Sequence, residues 1–320
     1  MDKTLFQSLP FDITLVDTGY HRDRCAAGYL VQSRQGSAAI VETGPLPAAK
    51  RFLTLLEERK LPREAVEWVI VTHVHLDHAG GAGGLLRELP NAKLLVHPKG
   101  LRHLVEPEKL RLGVMAVYGE ETFRVAFEDI VPAPAERCVE GSDGLEIRVG
   151  ERLFTVVDSP GHARHHFCLF EAASGSLFTG DAFGIAYPEL TCPDSERPFL
   201  FPATTPVQFE PEIYQETVDR LAALKPRNLF LTHFGMVGFE ESMAQALHHW
   251  IERIRHMAVQ APLPAPERLA WLHTGLEEIY RDELAQHLPG FSWSRAKGLL
   301  AMDLEINAQG IDTWLGNIRR

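Results

Sequence analysis

The sequence predicts an α/β (α+β) fold, a four-layer αββα sandwich followed by a C-terminal helical extension. Three observations lead there. Over residues 1–240, short apolar runs alternate with Gly, Pro and Asp turns. Those runs fall into two groups with helical stretches between them. From Phe239 onward the apolar residues recur at helical spacing instead.

Taken in order, the strand candidates of the first group are Ile13–Val16, Gly28–Gln32, Ala38–Glu42, Trp68–Val71 and Lys93–Val96. The second group comprises Leu145–Val149, Leu153–Val157, Cys168–Glu171, Ser176–Thr179 and Asn228–Leu231. Helices are expected over Pro47–Arg59, Ala79–Glu88 and Pro211–Leu224. Two further segments, 103–140 and 183–210, carry Pro and aromatic residues and read as insertions. In the extension, Ala246, Leu247, Trp250, Ile251 and Ile254 mark one helix, which a Pro-rich break over 261–266 ends. Leu269, Leu272, Leu276, Ile279, Tyr280 and Leu284 mark a second, and Trp293 to Ile318 one or two more.

The densest chemistry lies in Thr72-His73-Val74-His75-Leu76-Asp77-His78, directly after an apolar run. Polar groups that close to a buried strand end need partners, and a metal ion satisfies imidazoles and a carboxylate together. Three later sites share one form, an apolar strand with a ligand type at its C-terminal end. They are Asp158-Ser159-Pro160-Gly161-His162, Thr179-Gly180-Asp181 and Thr232-His233-Phe234-Gly235.

This ordered set, His-x-His-x-Asp-His, then Gly-His, Gly-Asp and Thr-His, resembles the metallo-β-lactamase superfamily over roughly residues 10–240. Ile40-Val41-Glu42-Thr43-Gly44 resembles the family strand that usually ends in Asp-Thr-Gly, with Glu42 in place of the Asp. That departure touches a supporting position and not a ligand. The resemblance implies a catalytic domain over 1–240 and a helical appendage over 241–320, together with two divalent metal ions. His73, His75 and His162 would hold the first, and Asp77, His78 and His233 the second. Asp181 would bridge both. Zinc is the first expectation, with iron or manganese as alternatives; imidazole and carboxylate donors suit all three, and no thiolate adds a preference for zinc.

The implied activity is that of a metal-dependent hydrolase, in which a hydroxide shared by the two ions attacks an ester, lactone or thioester carbonyl. Asp77 would be the catalytic residue, orienting the nucleophile and passing a proton to the leaving group. The full ligand set is similar to that of glyoxalase II and acyl-homoserine lactonases, and the appendage resembles that of quinolone-signal thioesterase-like proteins. Lactonases of this fold usually carry a Tyr three residues after the bridging Asp. Gly184 stands there, with Tyr187 as a candidate replacement. Phe183, Tyr187 and His166 are the candidate substrate contacts, and Arg295 and Lys297 the candidate glutathione contacts. Phosphodiesterase action, iron-dependent sulfur or oxygen redox chemistry, and non-catalytic signal binding are the alternatives. The flavo-diiron pattern has Glu where this chain has His75, and true β-lactamases generally lack the bridging Asp.

Composition sets the remaining expectations. The 320 residues, 45% of them hydrophobic, support a sizeable core. A net charge of −11 argues against nucleic-acid or anionic-lipid partners. The N-terminus lacks the basic and apolar regions of a signal peptide, and no apolar run reaches membrane-span length. Cys25, Cys138, Cys168 and Cys192 form no C-x-x-C pair, which points to a reduced, cytoplasmic protein. A small-molecule substrate is the expected partner, and the apolar stripes of the appendage serve either packing or a homodimer contact.

Overall fold

The structure, a computed structural model, describes residues 5–261 and 265–318. Of the Pro-rich break, residues 262–264 lie outside the described residues. The chain divides into two units. The first contains residues 1–158, 165–180 and 226–238, and the second 159–164, 181–225 and 239–320.

Both sheets belong to the first unit. One has seven strands in sequence order: β1 (Phe6–Leu9), β2 (Ile13–Asp17), β3 (Ala27–Gln32), β4 (Ala38–Val41), β5 (Val66–Ile70), β6 (Lys93–Val96) and β7 (Cys138–Glu140). Its first four strands pair antiparallel and β4 to β7 pair parallel. The parallel half needs crossovers, which α1 (Ala49–Glu58), α2 (Leu76–Ala79), α3 (Ala82–Glu88), α4 (Pro98–Val105), α5 (Glu108–Tyr118) and α6 (Glu120–Ala126) supply. The second sheet contains β8 (Glu146–Val149), β9 (Arg152–Asp158), β10 (Phe167–Glu171), β11 (Ser176–Gly180), β12 (Asn228–Leu231) and β13 (Gly235–Gly238). Its spatial order is β13-β12-β11-β10-β9-β8, with only β11 and β12 parallel.

Two apolar layers hold this unit together. On one face of the first sheet, Phe52, Leu55 and Leu56 of α1 and Leu85 and Leu86 of α3 join Leu30, Ile40, Val69 and Leu94 in one buried cluster. Burying each such side chain stabilises by about 1.5–3 kcal/mol. Between the sheets, Tyr29 meets Phe178 and Phe230 edge-on at 5.4 and 5.5 Å, and its hydroxyl donates to the Leu231 carbonyl. Arg152 crosses the same interface. It forms a two-pronged ion pair with Glu171, at 2.7 Å on each side, and also donates to the Phe11 and Gln32 carbonyls.

The second unit is helical: α7 (Pro211–Ala223), α8 (Glu241–Val259), α9 (Ala265–His287) and α10 (Trp293–Ile318). Trp250 of α8 packs on Tyr280 of α9 at 4.7 Å, and Tyr280 on Phe201 at 5.1 Å. The 183–210 segment is thereby packed onto the helices of its own unit. Gly310 on α10 permits the closest approach, since a Cβ there would lie 1.7 Å from the Thr204 carbonyl oxygen. No helix among the described residues is long and apolar enough to cross a membrane.

Two mixed sheets with flanking helices, followed by C-terminal helices, are the αββα class that the sequence predicts. Three details differ. The helix expected over Ala79–Glu88 is two pieces, because Gly80 and Gly81 sit tight on residues 43–45 and interrupt it. The 103–140 insertion is structured, with the last turn of α4, all of α5 and α6, and β7 within it. Strands β1, β7 and β13 are not among the expected ones, each being only three or four residues long.

Candidate metal centre

Each candidate ligand of the first unit lies just past a strand. His73 and His75 follow β5, Asp77 and His78 sit on the short α2, and His233 follows β12. The ligand-bearing turns thus come from both sheets of one unit. Asp77, His78 and His233 each present a ligand atom within 4.8 Å of the others. The Asp77 carboxylate is 3.6 Å from His78 Nε2 and 3.3 Å from His233 Nε2. His73 Nε2 and His75 Nδ1 are 2.9 Å apart, a separation that two imidazoles sharing one ion through bonds of about 2.0–2.1 Å can adopt.

The imidazoles are oriented from behind. His78 engages the Glu42 carboxylate through Nδ1, and His233 engages the Cys25 carbonyl through Nδ1 at 2.6 Å. His73 Nδ1 lies 3.0 Å from the Thr72 hydroxyl. Fixing one ring nitrogen selects the tautomer and aims the other, the usual arrangement behind a ligating histidine. Glu42 does more than hold one ring. Its carboxylate accepts from the Thr72 amide at 2.7 Å, the Thr72 hydroxyl at 3.2 Å and the Thr232 hydroxyl at 3.1 Å. One buried carboxylate therefore ties β5, β12 and the α2 turn together. Glu42 itself takes a left-handed backbone, with φ of 62°, a conformation that costs a non-glycine residue roughly 1–2 kcal/mol.

In the second unit, His162 Nε2 and Asp181 are 3.4 Å apart. His162 Nδ1 donates to the Ala203 carbonyl at 3.0 Å. The Asp181 carbonyl accepts from the Tyr214 hydroxyl at 3.1 Å, which fixes the turn that carries its carboxylate. The donors in both units are imidazole nitrogen and carboxylate oxygen, mostly buried and without a thiolate. That chemistry fits zinc, iron or manganese and does not suit an all-oxygen calcium site.

The other expected residues fall as follows. His166 is fully buried, with its ring stacked on His73 at 4.8 Å. Phe183 and Tyr187 are buried in the second unit, where the Tyr187 hydroxyl donates to Asp303 at 3.0 Å. Lys297 pairs with Glu277 at 2.8 Å, and Arg295 lies over the Phe291 ring at 5.3 Å.

Sequence reading does not single out Thr72, Thr232 or Tyr20. The two threonines have a visible signal, since each directly precedes a candidate ligand histidine. Tyr20, in the turn after β2, has none. Its phenol is held well above its ordinary pKa, first by burial, then by Tyr118 and by the negative charge of Asp77.

Comparison with known proteins identifies the family and the fold. A family model described as the metallo-beta-lactamase superfamily matches residues 26–233. The chain is 28% identical over 197 residues to the metallo-beta-lactamase fold-containing protein ST1585 of Sulfurisphaera tokodaii, a match covering 58% of this chain and 67% of that one. It is 28% identical over 218 residues to a hydroxyacylglutathione hydrolase of Vibrio campbellii, covering 64% and 69%. Across four curated relatives the chain spans between 62% and 69% of their length. Among solved structures, the metallo-beta-lactamase family protein TTHA1429 of Thermus thermophilus superposes with a TM-score of 0.63 at 21% identity, covering 98% of this chain and 92% of that one. At that identity the likeness speaks for the fold alone.

Proposed function

The chain belongs to the metallo-beta-lactamase superfamily, and from that premise we propose that it is a dinuclear metal-dependent hydrolase of ester, lactone or thioester bonds. The observation that carries the reading is the placement of Asp77. Its carboxylate lies 3.3 and 3.6 Å from two imidazoles whose opposite nitrogens are both fixed. In this reading His73, His75 and His162 serve one ion, Asp77, His78 and His233 the other, and Asp181 both. Thioesters rank first among the substrates, a preference supported by the hydroxyacylglutathione hydrolase relative.

When bound, two divalent ions supply the charge that lowers the pKa of water held there and polarises a substrate carbonyl. The chain's own groups do the rest. Glu42 and the Cys25 carbonyl keep His78 and His233 in the tautomer that presents Nε2. The Ala203 carbonyl does the same for His162. Asp77 orients the attacking water, accepts its proton and delivers it to the departing sulfur or oxygen.

The test is hydrolysis by metal-quantified protein of an aryl ester, a long-chain acyl lactone, a glutathione thioester and bis-p-nitrophenyl phosphate, beside His75→Ala. Chelator-sensitive turnover of an acyl substrate, lost in the variant, supports the proposal. Turnover of the phosphodiester alone moves the assignment to phosphodiesterase. Silence on all four with two ions bound removes the hydrolase reading in favour of redox or signal-binding roles.

A further inference from the structure

A buried polar side chain on an apolar helix face costs stability unless it finds a partner. Helix α10 has two, Asp303 and Asn307, only 6% and 1% exposed, among the buried Leu300, Leu304, Ile311 and Leu315. They stand four residues apart and share a stripe that Gly310 and Trp314 continue. The stripe engages one segment of the same unit. Asp303 accepts from the Tyr187 hydroxyl at 3.0 Å. Asn307 Oδ1 accepts from the Thr204 amide at 2.9 Å, and the Asn307 backbone carbonyl accepts from the Thr204 hydroxyl at 3.2 Å. Gly310 lacks the Cβ that would strike the Thr204 carbonyl, and Trp314 meets Phe209 edge-on at 6.4 Å.

The Asn307 contact reaches the metal centre through a single peptide group. The Thr204 N–H and the Ala203 C=O belong to one planar unit, whose two polar bonds point in opposite directions. Asn307 grips the N–H end, and the C=O end accepts from His162 Nδ1 at 3.0 Å. Rotation of that peptide would break both bonds together. A carbonyl can only accept, so the proton sits on Nδ1 and Nε2 is left bare, the form a ligating imidazole needs. The Asn307 amide is oriented by the same logic, because the Thr204 N–H can only donate and must face Oδ1. Its Nδ2 then donates to the Tyr280 hydroxyl at 3.1 Å. One chain of hydrogen bonds therefore runs from Tyr280 on α9 through Asn307 on α10 to His162, all within the second unit. Bonds in such a chain polarise one another, which strengthens the hold on Nδ1 and makes Nε2 a better donor to a cation.

We propose that Asn307 is a positioning residue of the metal centre: through the Ala203–Thr204 peptide it fixes the tautomer and the aim of His162. The C-terminal helix α10 thus serves the site as well as packing. The inference rests on the hydrolase reading for the assignment of His162 as a ligand.

Two readouts on the full-length protein test it, and neither needs turnover. The first is the tautomer of His162 in the metal-free protein, read by NMR from the ring-nitrogen shifts of isotope-labelled histidine at about pH 8, where imidazole is neutral. The His162 signal is identified by its loss in His162→Gln. The native chain should hold the form protonated on Nδ1. Asn307→Leu, similar in size but without the acceptor, should release His162 to a mixture of both forms. Asn307→Asp, which keeps the shape and an acceptor oxygen, should restore the native form. The second readout is zinc affinity by competition with a chromogenic chelator. Asn307→Leu should weaken one of two ions about tenfold and leave the other unchanged. Leu315→Ala removes a buried side chain from the same helix but lies outside the hydrogen-bonded chain, and should change neither readout. Circular dichroism checks that each variant is folded, and Asn307→Ala takes the place of Asn307→Leu if the latter is not. An unchanged His162 tautomer in Asn307→Leu, or the same change in Leu315→Ala, overturns the proposal. A released tautomer with both zinc affinities unchanged overturns it as well. Tautomer release with the loss of one ion, in a protein that turns over no acyl substrate, would uphold the role of Asn307 and defeat the hydrolase reading, so the two failures are distinct.

Discussion

Glu42 and His78 are joined by a hydrogen bond between two fully buried side chains, and the same carboxylate reaches Thr72 and Thr232 on the two sheets. A single residue thus sets both the tautomer of a proposed ligand and the spacing of the strands that deliver the others. Glu42→Gln cannot accept from all four groups at once. We expect metal affinity to fall about 10- to 100-fold, measured by competition with a chromogenic chelator. Glu42→Asp, which restores the residue usual in the family, is expected to weaken binding too, because its side chain is one methylene short of partners arranged for Glu. Unchanged affinity in both variants would show that the clamp is not needed.

Asp77 is tested by Asp77→Asn. The amide keeps the shape and its contacts with the loop but cannot take up a proton. Folding and most of the bound metal should survive, while kcat drops by about 10²–10⁴-fold. Full turnover in that variant would rule out the proton-transfer role.

Gly28 on β3 allows the chain to pass beside Glu42, since a Cβ there would lie 2.4 Å from the Glu42 carbonyl oxygen and 2.7 Å from the Phe52 ring. The first obstacle is backbone and the second a buried ring, so neither yields easily. Gly28→Ala is expected to destabilise by about 1–3 kcal/mol, read from the denaturation midpoint, and to lower metal content by displacing Glu42. A variant as stable as the native chain would show that β3 can shift.

Arg152 and Glu171 form a nearly buried pair that also satisfies two backbone carbonyls of the first sheet. Arg152→Met leaves a carboxylate and two carbonyls without that donor, and should cost about 3–5 kcal/mol. The double variant Arg152→Met/Glu171→Leu should recover part of this loss. A double-mutant cycle in urea measures the coupling. Additive losses would mean that the carbonyl contacts, and not the ion pair, matter.

Much of this structure is legible in the sequence, for identifiable reasons. The ten expected strands are buried apolar runs bounded by turn residues, and all ten are present within a residue or two. The turns that carry the candidate ligands stand out because each follows such a run directly. The packing of α5 is not legible: apolar residues at helical spacing imply a core face, and only the folded chain reveals that none of them is fully buried. The supports of the imidazoles divide along the same line. Thr72 and Thr232 are adjacent to candidate ligands in the sequence. The carbonyls of Cys25 and Ala203 belong to the backbone, where side-chain identity gives no signal.

The most direct test of the central claim is a metal titration of the apoprotein, following hydrolysis of an acyl thioester against ions bound per chain. The proposed dinuclear site predicts that turnover rises with metal and saturates at two equivalents. Saturation of binding at two equivalents without any thioester, ester or lactone cleavage would contradict it.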